Sequence, residues 1–133
     1  MKILIDKETA QSDVERFLEA RFVTDEAKTA NSAVVKKLVE SVQYGQISID
    51  ASGAITQKLN SPIKGTDGST VLAKLDYKLR LTMNEVDMII QGGEKNANMV
   101  YAVPLTGQDS ILLGKLDTSD VMVLANIVVF FTT

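Results

Sequence analysis

Leu79-Arg80-Leu81-Thr82-Met83-Asn84-Glu85-Val86-Asp87-Met88-Ile89-Ile90 is the stretch that decides the fold. Together with the preceding Leu75-Asp76-Tyr77-Lys78 it alternates strictly: Leu75, Tyr77, Leu79 and Leu81 apolar, with Asp76, Lys78, Arg80 and Thr82 polar. A period of two with one greasy side is the mark of a half-buried strand. At Thr82 the pattern changes. Thr82-x-x-Glu85 is a capping box, in which hydroxyl and carboxylate each satisfy a free backbone amide. A helix is therefore expected from Met83 to Ile90, with Val86, Ile89 and Ile90 inward and Gly92-Gly93 as its stop. Strand passing straight into helix places the chain in the α+β class.

Working toward the N-terminus, Ile47 and Ile49 alternate with polar neighbours, Asp50-Ala51-Ser52-Gly53 is turn chemistry, and Ile55, Gln57 and Leu59 continue on the far side. This predicts a hairpin that ends at Ser61-Pro62, because proline donates no ladder bond. Paired with Leu75–Thr82, it makes a small antiparallel sheet of a β-hairpin plus one further strand. The Gly-containing segment Lys64–Ser69 reads as a loop: it lacks the Gly-x-x-x-x-Gly-Lys-Ser/Thr spacing of a phosphate cradle. Before the hairpin, two N-terminal helices are expected. One runs from Asp13 to Phe22, capped by Ser12 with Glu15, and buries Val14, Phe17, Leu18 and Phe22. The other starts at Thr24 and continues through Ala27, Ala30, Val34, Leu38 and Val42 to Gly45. Lys2–Ile5 is a short strand or a docking tail.

Toward the C-terminus a helical bundle is expected. A helix over Glu94–Val103, with Met99, Val100 and Val103 inward, is broken by Pro104. A single turn begins at Asp109 or Ser110. A last helix spans about Ser119 to Phe131. At about 100° per residue, Val121, Leu124, Ala125, Val128 and Phe131 form its broad apolar face. Asn126 stands opposite, flanked by Met122, Val123 and Phe130. If Asn126 faces water, these three sit beside it, so Met122, Val123 and Phe130 are the candidate contacts for a partner. A single domain over 1–133 is expected, with a helical part at 1–45 and the hairpin, strand and later helices at 46–133.

Composition narrows the function classes. The chain has 133 residues, 45% hydrophobic and 23% charged, which is ordinary globular usage. Its net charge of −3 does not suit a phosphate backbone, so nucleic acid is not an expected partner. Without cysteine or histidine it has no thiolate and lacks the commonest neutral-pH base and metal ligand. Serine and threonine have no histidine to activate them. Asp117 and Asp120 read as helix caps rather than as a metal pair. Catalytic, cofactor and metal residues are therefore all expected to be none. Neither a signal peptide nor a membrane span is visible, and a cytoplasmic protein is expected.

The order from Gln46 to Phe131 resembles a known family. An alternating strand enters a capped helix at Leu79–Val86. Then come Thr106-Gly107, the run Leu113-x-Lys115-Leu116-Asp117-x-x-Asp120 and an apolar helix ending near Phe130. The Asp50–Gly53 turn and the Leu59–Ile63 segment fit the same order. This is similar to the tail assembly chaperones of long-tailed bacteriophages and prophages, although the Arg-Pro pair found in many relatives near this strand is absent. The resemblance implies a non-enzymatic protein that binds the tape measure protein and helps recruit tail tube subunits. It implies a homo-oligomer in the host bacterial cytoplasm, not expected in the mature virion. It also implies that some members are made in two lengths by frameshifting, for which the Phe130-Phe131 codons are a candidate slip. Two alternatives stay open: a structural virion component, such as a head-tail joining or tail protein, and a small ligand-binding module or enzyme.

Overall fold

A computed structural model describes residues 1–92 and 97–132. In chain order the elements are α1 (Lys7–Ala20), α2 (Asp25–Ala30), α3 (Ser32–Gln43), β1 (Ile47–Ile49), β2 (Ile55–Lys64), β3 (Thr70–Asp76), α4 (Met83–Gly92), α5 (Ala97–Thr106), α6 (Ser110–Leu113) and α7 (Thr118–Val129). The strands form one antiparallel sheet in the order β1-β2-β3, with helices on both sides of it in the chain. The fold is α+β, as the alternating and capped stretches require.

The first helix begins a turn and a half earlier than expected. Asp6, not Ser12, is its cap: the carboxylate accepts from Thr9 N at 2.8 Å and from the Thr9 hydroxyl at 3.0 Å. Ser12 is an exposed residue inside the helix. The extra turn seats Ala10, fully buried, beside Val14, Phe17 and Leu18. The helix closes in a Schellman motif, with Val23 N donating to Leu18 O and Phe22 N to Glu19 O, each at 3.0 Å. Phe22 thereby leaves the buried stripe assigned to it and projects into solvent, 79% exposed.

Thr24 caps the next helix as expected, accepting from Ala27 N. The helix does not run on to Gln43, however. Asn31 turns its side-chain amide back onto Ala27 O at 2.9 Å, which competes with the backbone ladder and divides α2 from α3. There are thus three N-terminal helices where two were expected. Lys2–Ile5 is a tail rather than a strand: Leu4 N and Ile5 N both donate to Gln43 O at the end of α3.

The first hairpin turns at Asp50–Gly53, where the Asp50 carboxylate collects Ser52 N, Ser52 Oγ and Ala54 N. Gly53 has φ 92°, and a Cβ there would meet the Ala20 Cβ at 2.6 Å and Arg16 O at 3.0 Å. Glycine is required for both reasons. Arg16 ties α1 to the turn by donating to Asp50 O and Ile49 O, each at 2.7 Å.

β2 does not stop at Ser61-Pro62. The register passes from Lys58↔Lys74 to Ile63↔Leu72, so β2 advances five residues while β3 advances two. Pro62 sits inside this bulge, where it owes no ladder bond. β3 also lies earlier than expected, at Thr70–Asp76 instead of Leu75–Thr82. After Tyr77 N donates to Ile55 O, the chain leaves the sheet, and Lys78 N donates to Leu105 O of α5. The alternation therefore reports burial correctly: Leu75 and Tyr77 are buried, while Asp76, Lys78 and Arg80 are exposed. It does not report a ladder.

The Thr82/Glu85 box forms as read, with Thr82 N on Glu85 Oε1 at 3.0 Å and Glu85 N on Thr82 Oγ1 at 3.3 Å. Within α4 Ile89 is buried but Val86 is 38% exposed. The Ile90 side chain, Gly93 and the expected helix start at Glu94 lie outside the described residues. Pro104 does not break the following helix. α5 continues through it to Thr106, with Ala102, Pro104 and Leu105 buried, and Met99 and Val103 partly buried against the core as expected.

α7 lies against α3, α5 and β2. A helix surrounded on three sides has reason to be apolar nearly all round. Its Ile127, Leu124, Val123 and Val128, with Phe130 just beyond its end, join Phe17 of α1, Leu38 and Val42 of α3, and Ile47, Ile55 and Leu75 of the sheet in one continuous core.

Candidate functional site

The three candidate contacts separate. Met122 is 61% exposed, Val123 only 6%, and Phe130 is fully buried. The Phe130 ring meets Phe17 edge-on at 6.4 Å between centroids. The expectation that Val123 and Phe130 lie at the edge of water is therefore corrected. Asn126 is not fully exposed, and α7 is covered on the Val123 side. Of the trio, only Met122 is exposed.

The acidic junction ahead of α7 divides in a way the sequence does not reveal. Asp117 is a true cap, accepting from Ser119 N at 2.9 Å and Ser119 Oγ at 2.6 Å. These bonds hold its carboxyl below the usual range. Asp120, read as another cap, is fully buried. Its two carboxylate oxygens accept from Asn60 N at 2.7 Å and Ser61 N at 3.1 Å, the amides released by the β2 bulge. Its backbone carbonyl accepts from Gln57 Nε2 at 2.9 Å, and Gln57 Oε1 accepts from the Tyr77 hydroxyl at 2.6 Å. Burial, with the Asp120 charge nearby, pushes the Tyr77 hydroxyl well above its ordinary range. This network pins α7 to β2 and, through Tyr77, to the chain just past β3. Among the described residues no buried side-chain nitrogen or oxygen lacks a hydrogen-bond partner, and the two carboxylates serve different elements. Among the described residues no group of three acidic or other ligating side chains could hold a metal.

The Gly-rich loop is likewise occupied by its own bonds. The Asp67 carboxylate accepts from Ser69 N and Oγ, and Gly65 N donates to Ser69 O, closing the β2–β3 turn.

A groove of about 450 Å³ opens between α1 and α3. Val14, Val35 and Val39 form its floor, and Lys7, Gln11 and Lys36 stand on its rim. Glu15, also on the rim, is engaged by Lys28, whose pKa is raised by that hydrogen bond. An apolar floor with a few polar groups at its rim has the make-up of a binding site. Val35 and Val39 are legible as apolar helix positions, but the sequence holds no signal that α1 and α3 leave a gap above them.

Comparison with protein-family models, with curated proteins and with solved structures finds no match for this chain. No helix among the described residues is long and apolar enough to cross a membrane.

Proposed function

We propose that this chain is a non-catalytic tail assembly chaperone of a long-tailed bacteriophage or prophage. In this reading it binds the tape measure protein, helps recruit tail tube subunits, and self-associates in the host bacterial cytoplasm without being retained in the virion. The observation that carries the reading is the Asp120 tie. The resemblance rests on Leu79–Val86 and on Thr106-Gly107 through Phe130, which includes Leu116-Asp117-x-x-Asp120, and the Leu59–Ile63 segment fits the same order. The buried Asp120 carboxylate accepts from Asn60 N and Ser61 N of that segment, across about sixty positions of chain. Two parts of the order thus meet in one structural unit, which supports reading them together rather than as unrelated local signals.

The groove between α1 and α3 suits the client this function requires. A tape measure helix has an apolar row to lay down, and a valine floor beneath lysines accepts such a row when acidic residues flank it. Coexpression with the tape measure protein encoded in the same genome tests the reading. The client is expected to move into the soluble fraction and to copurify with this chain. Val35→Glu, at a half-buried position, is expected to reduce that capture. A client that stays insoluble beside abundant chaperone argues against the function. Recovery of the chain from purified particles at a fixed stoichiometry favours a structural virion component instead.

A further inference from the structure

Five of the described residues have positive φ, and four of them are glycines; the fifth is Phe22, at 58°. It occupies the position of the α1 Schellman motif that glycine normally takes. A side chain there is disfavoured because Cβ crowds the following carbonyl, and a bulky aromatic is a true outlier. The strain is not offset by packing, since Phe22 is 79% exposed. Strain of this sort concentrates where a surface is used.

The ring is not alone. The Arg80 guanidinium lies 4.6 Å over its centroid. Arg21, next in the chain, donates through Nη1 to Leu79 O at 2.8 Å and through Nε to Phe130 O at 3.3 Å, and lies 4.1 Å over the Phe131 ring. Burial and the positive charge of Arg80 both lower the pKa of Arg21. The ion pairs among the described residues use Arg16, Lys28, Lys74 and Lys78, and none reaches Arg21 or Arg80. Two guanidinium groups and an exposed aromatic ring thus stand together, with no ion-paired carboxylate among the described residues, in a chain whose net charge is −3.

We propose that Phe22, Arg80 and Arg21 form a docking point for an acidic segment of a partner protein. A carboxylate of that segment sets against the guanidinium pair, and a flanking apolar side chain covers the open face of Phe22. The charge complementarity is what selects this occupant: arginine forks match carboxylates in shape as well as in sign. The docking point stands independently of the chaperone reading, because it requires only the chemistry of the segment and not its source.

The test is an NMR titration of the full chain with the capped peptide acetyl-Asp-Leu-Phe-Glu-amide. Its neutral counterpart, carrying Asn and Gln, and inorganic phosphate are titrated alongside. Saturable shifts are expected at the Phe22 amide and the Arg80 Nε–H, with the neutral peptide and phosphate each roughly tenfold weaker. Phe22→Gly is expected to fold at least as well as the parent, since glycine suits the conformation, yet to bind roughly tenfold more weakly. Arg80→Gln, at an exposed position, is expected to weaken binding similarly and carries the test alone if the glycine variant misfolds. Equal binding of the two peptides, phosphate binding as tightly as the acidic peptide, shifts confined to another surface, or no binding at all would each overturn the proposal.

Discussion

Asp120 and Phe130 show what single side chains decide in this molecule. Asp120 is fully buried and satisfies two backbone amides that the β2 bulge removes from the ladder. Alanine there leaves both donors without an acceptor. Asn60 and Ser61 lie near the surface and water can reach them in part, so the expected loss is about 1–3 kcal/mol in all, readable as a lower denaturation midpoint. Asp117→Ala, which removes only an exposed cap, is expected to cost less than Asp120→Ala. Equal losses would mean that Asp120 is no more than a cap. Phe130 is the second case. Its ring closes the core against Phe17, so Phe130→Asp is expected to abolish folding, and Phe130→Ala to cost roughly 3–5 kcal/mol. A folded, stable Phe130→Asp variant would return this residue to the surface. Neither role is legible from the residue's neighbours in sequence, because each depends on a contact made far along the chain.

Elements are more legible where their signals are local and less so where a competing bond lies off the pattern. Thr82-x-x-Glu85 and Asp50–Gly53 form as the sequence implies, since every partner lies within four residues. The α2–α3 break escapes detection because one Asn31 side chain outweighs an unbroken apolar stripe. β3 is displaced because alternation records which side is buried, not which neighbour supplies the hydrogen bonds. The capping box also carries a pH dependence. Lys78 and the Thr82 amide hold the Glu85 carboxyl down at about 2, from an ordinary 4.5. A depressed folded pKa means that the stabilisation is fully present above the unfolded value. It fades as pH falls from about 4.5 through about 2. The amide of Thr82 is therefore expected to lose protection over that window, and α4 to fray from its N-terminus. Glu85→Gln is expected to remove this acid response, and the NMR titration of the Glu85 carboxyl gives the midpoint directly.

At the scale of the whole molecule, the question posed by the closing helix changes. In the sequence its broad apolar face, with Met122, Val123 and Phe130 beside Asn126, points to contact with a partner. α3, α5 and β2 cover most of this helix, however, and its apolar side chains, Val123 and the adjoining Phe130 among them, build the core. The large apolar side chains left in solvent are scattered instead, from Ile3 and Leu4 in the tail to Met83, Ile111 and Met122. Self-association through α7 consequently has one side chain of the original trio to use. Met122→Asp changes an exposed position, so the unfolding free energy is expected to stay within about 0.5 kcal/mol of the parent. If assembly runs through this helix, light scattering is expected to show the wild type as an oligomer and the variant as a lighter species. A wild-type oligomer unmoved by Met122→Asp would place the contact elsewhere on the surface. A wild type that is a monomer at every concentration would remove self-association from the function proposed for this chain.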